Sequence, residues 1–238
     1  TAITGDKWED IEYLQNGVIK ADGSYVFEKD SNITISGTGT PAVDVQGDVV
    51  IDAEGSSLTL KADGENNVYG ISQSSGNKAE ITAGKVNITA TSGSRAEGIH
   101  VANSNPEIRP ELTINGDVEI SVTGTTNTIG AYVQGNSILN INGDVKMTID
   151  GNNGGWGYYG ASGLYATSNM GANSMGATIN VDGNVDIKGN ANGIFVNAGG
   201  SAVTVGGGRI EVDSSQNNYA AIRAENGVIN MNVQLDKD

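Results

Sequence analysis

Along most of the chain apolar residues fall at every second position, in runs too short to pattern a helix. Leu112–Ile120 reads LTINGDVEI, Leu139–Met147 reads LNINGDVKM and Ile179–Ile187 reads INVDGNVDI. Each is apolar–x–apolar, then an Asn-Gly or Asp-Gly pair, then apolar–x–apolar again. Such alternation is the strand signal, because residues i and i+2 of a strand point the same way. After a variable interval a third short segment follows, as in Gly98–Val101 (GIHV), Gly130–Val133 (GAYV), Gly163–Ala166 (GLYA) and Gly193–Val196 (GIFV). Its first apolar residue recurs at Val43, Ile71, Ile99, Ala131, Leu164, Ile194 and Ile222, at spacings of 28, 28, 32, 33, 30 and 28 residues.

Three short strands in every 30 or so residues predict an all-β fold, a right-handed parallel β-helix of about seven or eight coils. An antiparallel sandwich or barrel is the competing architecture, since Asn-Gly alone suggests a hairpin. The recurrence of that pair once per unit, with a third strand in each unit, favours a corner between stacked strands. The predicted interior columns are Ala79/Ile81, Val86/Ile88 and Ile99/Val101 in one coil, then Leu112/Ile114, Val118/Ile120 and Ala131/Val133 in the next. Ile179/Val181, Val185/Ile187 and Ile194/Val196 fill the same places further on. Residues 25–238 read as this solenoid, interrupted by a Gly- and aromatic-rich insert at 150–162. Residues 1–24, with Trp8, Ile11, Tyr13, Leu14, Val18 and Ile19, read as an N-terminal cap over the first coil. Ile229/Met231 and Val233/Leu235 begin a further coil, so the chain reads as a piece cut from a longer one.

Composition narrows the chemistry. The 35 glycines suit corners, and 5% aromatic content suits a narrow core of Val, Ile, Leu and Ala. Thirteen basic against 28 acidic residues leave a net charge of −15, which opposes nucleic acid and anionic lipid as partners. There is no cysteine and one histidine, His100, so disulfides, thiolate chemistry and imidazole-rich metal sites are excluded. The Asn-Thr-Asp, Asp-Asp, Gly-His-Gly and Arg-x-Lys motifs of β-helical pectin hydrolases do not occur, nor do a Gly-Asp-Ser-Gly signature, a calcium-loaded β-roll nonapeptide or an EF-hand loop. No catalytic residue, metal ligand or cofactor is expected. Asp48, Asp117, Asp144 and Asp186 read as a solvated acidic face, with weak ion binding as the alternative.

The outward rows differ from one another. On the first strand the row is Glu80, Thr113, Asn140, Asn180, Thr204 and Asn230, a polar ladder able to hydrogen-bond along itself or to a neighbouring molecule. On the second it is Thr34, Thr59, Asn87, Glu119, Lys146, Asp186 and Glu211, an ordinary charged face. On the third it is Asp44, Ser72, His100, Tyr132, Tyr165, Phe195 and Arg223, four successive members being aromatic or imidazole. Either these rings stack and shield the sheet, or they form an exposed binding stripe. The insert adds Trp156, Tyr158 and Tyr159 just ahead of the third strand of its coil, as a binding loop or as a lid.

The repeated INGDVxI units, the Gly/Asn/Asp-rich corners, the acidity and the lack of cysteine resemble the passenger domains of bacterial autotransporters, from about residue 25 to residue 238. That resemblance implies a β-helix secreted across the outer membrane and displayed at the cell surface, acting as an adhesin or a self-association module. It transfers no site residue. The expectation is a non-enzymatic adhesin that binds a host or bacterial surface glycan or protein. Its ligand site would be Trp156, Tyr158, Tyr159, Tyr165, Tyr132, Phe195 and His100. Two alternatives stand beside it: homotypic association through Thr113, Asn140, Asn180, Thr204 and Asn230, and a polysaccharide lyase or hydrolase.

Overall fold

The computed structural model of the chain describes residues 2–4, 19–27, 30, 32–39, 41–151, 160–169, 174–213 and 217–232. These form a parallel β-solenoid of about seven turns without a helix. Every strand pairs in parallel with the strand one coil away, for example Glu111–Gly124 with Lys78–Ser92 on one side and with Val145–Gly151 on the other. Parallel strands leave in the direction they entered and need a long return. Here that return is the remainder of the coil.

The spacing read from the sequence gives the register residue for residue. Val43 pairs with Ile71, Ile71 with Ile99, Ile99 with Ala131, Ala131 with Leu164, Leu164 with Ile194 and Ile194 with Ile222. All eighteen interior residues named above lie in the core, none more than 3% exposed. Burying a Val or Ile is worth roughly 1.5–3 kcal/mol, and here each also stacks on its counterpart in the next coil.

Two glycine columns fix how closely the coils stack. Gly70, Gly98, Gly130, Gly163 and Gly193 open the third strands, where an added Cβ would stand 2.4–2.7 Å from the carbonyl oxygen one coil on. At the corner from first to second strand, a Cβ on Gly116 would lie 2.1 Å from Ala83 O, and one on Gly143 2.3 Å from Gly116 O. One on Gly183 would lie 2.5 Å from Gly143 O. Carboxylates seal the same corner: Asp117 Oδ1 accepts the Asp144 backbone N–H at 2.8 Å, and Asp144 Oδ1 accepts that of Asn184 at 2.8 Å. Asp48 likewise accepts from Lys78 N, so these aspartates are bound to backbone. Among the described residues no three acidic or histidine side chains are gathered for a metal ion.

Two expectations need adjusting, and two reach beyond the described residues. Ile19–Val26 stacks in parallel on Val43–Asp52, so the solenoid begins before residue 25. Ala2–Thr4 pairs with Ser24–Val26, and the other residues expected to form a cap, Trp8 to Val18 among them, lie outside the described residues. In the second outward row, Asp186 faces Arg209, whereas Glu211 pairs with Lys188. The register there shifts between Val181 and Asn184, opposite Gly206-Gly207-Gly208, and this displaces the later residues of the row. At the far end Ile229 and Met231 stack on Val203 and Val205 as expected, while Val233 and Leu235 lie outside the described residues.

Candidate functional site

Two outer faces carry the candidate residues. On the third face the aromatic row is in register as expected: His100 on Tyr132, Tyr132 on Tyr165, Tyr165 on Phe195. The rings touch in sequence. His100 and Tyr132 stack with centroids 5.5 Å apart, Tyr132 and Tyr165 meet edge-on at 5.4 Å, and Tyr165 lies nearly flat on Phe195 at 4.7 Å. Tyr69, one coil before His100, extends the stack at 4.5 Å.

This row is not the exposed stripe that its outward position suggests. Phe195 is fully buried, the His100 side chain is 16% exposed, and Tyr132 and Tyr165 are half-buried. The residues three positions earlier on the same strands, Glu97, Ile129, Ser162 and Asn192, are buried as well. Period two says which side of a sheet a residue takes; it does not say whether that side is covered. Trp156, Tyr158 and Tyr159 lie outside the described residues. Just past the third strand of this coil Asn169 is 2% exposed; its amide donates to Ser104 O at 2.9 Å while its Oδ1 accepts the Met175 N–H at 2.6 Å.

Beneath the rings sits a cluster the sequence did not announce. Glu97 is fully buried and accepts hydrogen bonds from Arg95 Nε at 2.8 Å, from Arg95 Nη2 and from His100 Nδ1. The Arg95 guanidinium also stands over the Tyr132 ring, 5.3 Å from its centroid. A buried carboxylate needs such partners, since an unpaired charge in an apolar setting is costly. Burial works against the Arg95 charge, but the field and hydrogen bond of Glu97 outweigh it and raise its pKa. Tyr132 is pushed up by burial first and by the Glu97 charge second; Tyr69 follows for the same reasons in the same order. Tyr165 is raised by burial, against the pull of hydrogen bonds from Asn197 and Thr167. The lone imidazole, His100, is held on the arginine-bound Glu97 carboxylate and lies between Tyr69 and Tyr132.

The first face is the opposite case. Thr113, Asn140, Asn180, Thr204 and Asn230 stack one coil apart, each pair in register. Asn180, Thr204 and Asn230 are exposed, and Thr113 and Asn140 are half-exposed. Asn180 donates to Asn140 Oδ1 at 2.9 Å, Asn140 to Thr113 Oγ1 at 3.5 Å and Asn230 to Thr204 Oγ1 at 3.3 Å. A parallel ladder runs alongside, with Asn142 donating to Asn115 at 2.7 Å and Asn115 to Glu80 at 2.9 Å. An amide has two N–H donors and an oxygen with two lone pairs, so each bond along the stack leaves capacity facing outward. At the N-terminal end of this face lies a shallow groove of about 530 Å³ bearing Asp48, Lys78, Glu80 and Glu111.

The second face is a ladder of charges, Lys85 on Glu119 at 2.7 Å and then Lys146 and Asp186 in register. Lys85 holds the Glu119 carboxyl below its ordinary range through that hydrogen bond. Pairs this exposed contribute little.

Compared with protein-family models, with curated proteins and with solved structures, the chain matches none of them.

Proposed function

We propose that this chain is a non-enzymatic adhesion module of a bacterial cell surface, and that it makes contact through the Thr/Asn ladder of its first face. One observation carries the reading: a chain of net charge −15 keeps a strip from Thr113 to Asn230 whose outward row has hydroxyls and amides and no charge. Uncharged donors and acceptors on paired strands suit a polar surface glycan or protein, at a lower desolvation cost than charges would carry and with no loop to order on binding. The surface location rests on the resemblance to autotransporter passengers. The test is adhesion of protein-coated beads to bacterial and host cells. Asn140→Lys and Asn180→Lys, both on the outside of the sheet, are expected to lose adhesion with unchanged circular dichroism. Full adhesion by both variants would overturn the reading.

A second reading places the ligand on the third face, at Tyr132, Tyr165 and the Trp156–Tyr159 segment. It is favoured by the partial exposure of those two tyrosines beside Arg95. Phe195, fully buried, is no part of such a site, and His100 is tied to Glu97. Tyr165→Ser would then abolish adhesion while the ladder variants retain it.

A further inference from the structure

We infer that the ligand of the ladder face is a linear, uncharged polysaccharide of equatorially linked hexoses, lying along the solenoid axis with one sugar on each coil. The inference rests on the reading of this face as the contact surface, and it adds the chemical class of the ligand and the direction in which it runs.

The face is striped along the axis, each column with its own character. Outward residues of one strand are two positions apart, so neighbouring columns lie ~7 Å from each other. The middle column is the ladder of Thr113, Asn140, Asn180, Thr204 and Asn230. The column before it runs Ile138, Thr178, Ala202 and Val228 in register, none of them buried and Val228 53% exposed. From the coil of Asn140 onward, a strip of methyl groups therefore borders a strip of amides and hydroxyls.

A pyranose ring is divided in the same way, with C–H bonds on its faces and hydroxyls along its edges. Laid on this strip, its C–H face covers the Ile138–Val228 column, where removing apolar surface from water is favourable. Its edge reaches the ladder, whose amides keep donors and lone pairs beyond those spent along the stack.

The period selects the linkage. Rungs recur at the strand spacing of ~4.8 Å. Equatorial bonds at both ends of a hexose give an extended ribbon that advances by the length of its ring, close to that spacing. An axial bond bends the chain into a coil that leaves the row. Successive rings of the ribbon turn over, but both edges carry hydroxyls, so each rung still meets one.

Charge selects what the sugars carry. Glu80 and Glu111 close the strip at its N-terminal end, Asp182 stands exposed at its margin, and the whole chain is at −15. A uronate or sulfate polymer is repelled on approach. A polymer of amino sugars finds carboxylates only at that end, since neither column presents one from Asn140 to Asn230. Uncharged hydroxyl or acetamido groups meet donors and acceptors of their own kind and cost less to desolvate than ions.

The test is calorimetric titration of the intact protein with cello- and chito-oligosaccharides, the glucose and N-acetylglucosamine forms of such a ribbon. Malto-oligosaccharides and polygalacturonate serve as the coiled and the anionic counterparts. Affinity for at least one ribbon should climb several-fold with each sugar up to the pentasaccharide, which fills the five rungs, and then level off. One substitution placed in two columns reads how the chain lies. Thr204→Val takes a hydroxyl from the ladder and should weaken pentasaccharide binding about fivefold. Thr178→Val puts a methyl in the apolar column and should leave binding equal or tighter. Equal binding of malto-oligosaccharides overturns the linkage, binding of polygalacturonate overturns the charge selection, and equal losses in the two valine variants overturn the placement of the ring on the columns. If no ribbon binds while Asn180→Lys still abolishes adhesion to cells, the polysaccharide is overturned and the contact face stands. Adhesion undiminished in Asn180→Lys brings down the contact face itself.

Discussion

At Gly130 a single methyl group has nowhere to go. Its Cβ would stand 2.6 Å from Met147 Sδ and 2.7 Å from Gly163 O, one a core side chain and the other the backbone of the next coil. Gly130→Ala is expected to cost about 1–3 kcal/mol by overpacking. Gly199→Ala, whose Cβ would find nothing nearer than Asn226 O at 3.9 Å, should be neutral or slightly stabilising. Urea unfolding of the two variants checks the contrast. Glu97 tests a different balance. Glu97→Gln keeps the shape but removes the charge on which Arg95 and His100 converge, and should cost roughly 3–5 kcal/mol in the same measurement. An effect near zero would mean that the guanidinium reaches solvent once released. The glycine was legible in the sequence because it opens every third strand, as in GIHV, GAYV, GLYA and GIFV. Glu97 was not, because three residues before His100 it falls outside the period-two rows, and nothing in a linear pattern says that Arg95, His100 and Tyr132 gather around it.

At the scale of the strand, the third sheet behaves like a parallel sheet covered on both sides. Its inner side is the stacked Ile, Leu, Val and Ala core, and its outer side is the ring row with Glu97, Ser162 and Asn192 beneath. Stacked pairs of this kind add about 0.5–1.5 kcal/mol each beyond burial. Phe195→Ala, which removes a fully buried ring from the row, should cost about 3–5 kcal/mol, measured by thermal or urea unfolding. The tyrosines also tie the sheet to pH. An unfolded tyrosine ionises near pH ~10. Burial raises Tyr69, Tyr132 and Tyr165 above that in the folded chain. The stability that these protons contribute is therefore whole below pH ~10 and is lost as pH climbs through the raised folded values. The expected result is cooperative alkaline unfolding in which tyrosinate absorbance and loss of β-signal coincide. Tyrosinate appearing well before unfolding would show that the rings are open to hydroxide. The register of these strands was readable from spacing alone, since each coil repeats one pattern. The second-face slip that sets Asp186 on Arg209 was not, because a bulge beside three successive glycines has no side chain to reveal which residue is extra.

For the whole molecule, the charge of −15 and the neutral ladder pull against each other, and salt decides between them. Were two copies to meet through the ladder, as in the alternative of homotypic association, the contact would be made of amide and hydroxyl hydrogen bonds, which ionic strength barely touches. The repulsion between two acidic rods acts through solvent and is screened over a Debye length of ~30 Å at 0.01 M salt but only ~8 Å at 0.15 M. Association through this face should therefore strengthen as salt rises, whereas a contact built on opposite charges, such as the Lys85–Glu119 face against its complement, would weaken. The measurement is sedimentation of one protein concentration across that salt range, repeated with Asn180→Lys as the control for the ladder. Dimer growing with salt in the native chain and absent in the variant is the expected outcome. Dimer that falls with salt would move the interface to the charged second face, and with it the reading of which side of the rod adheres.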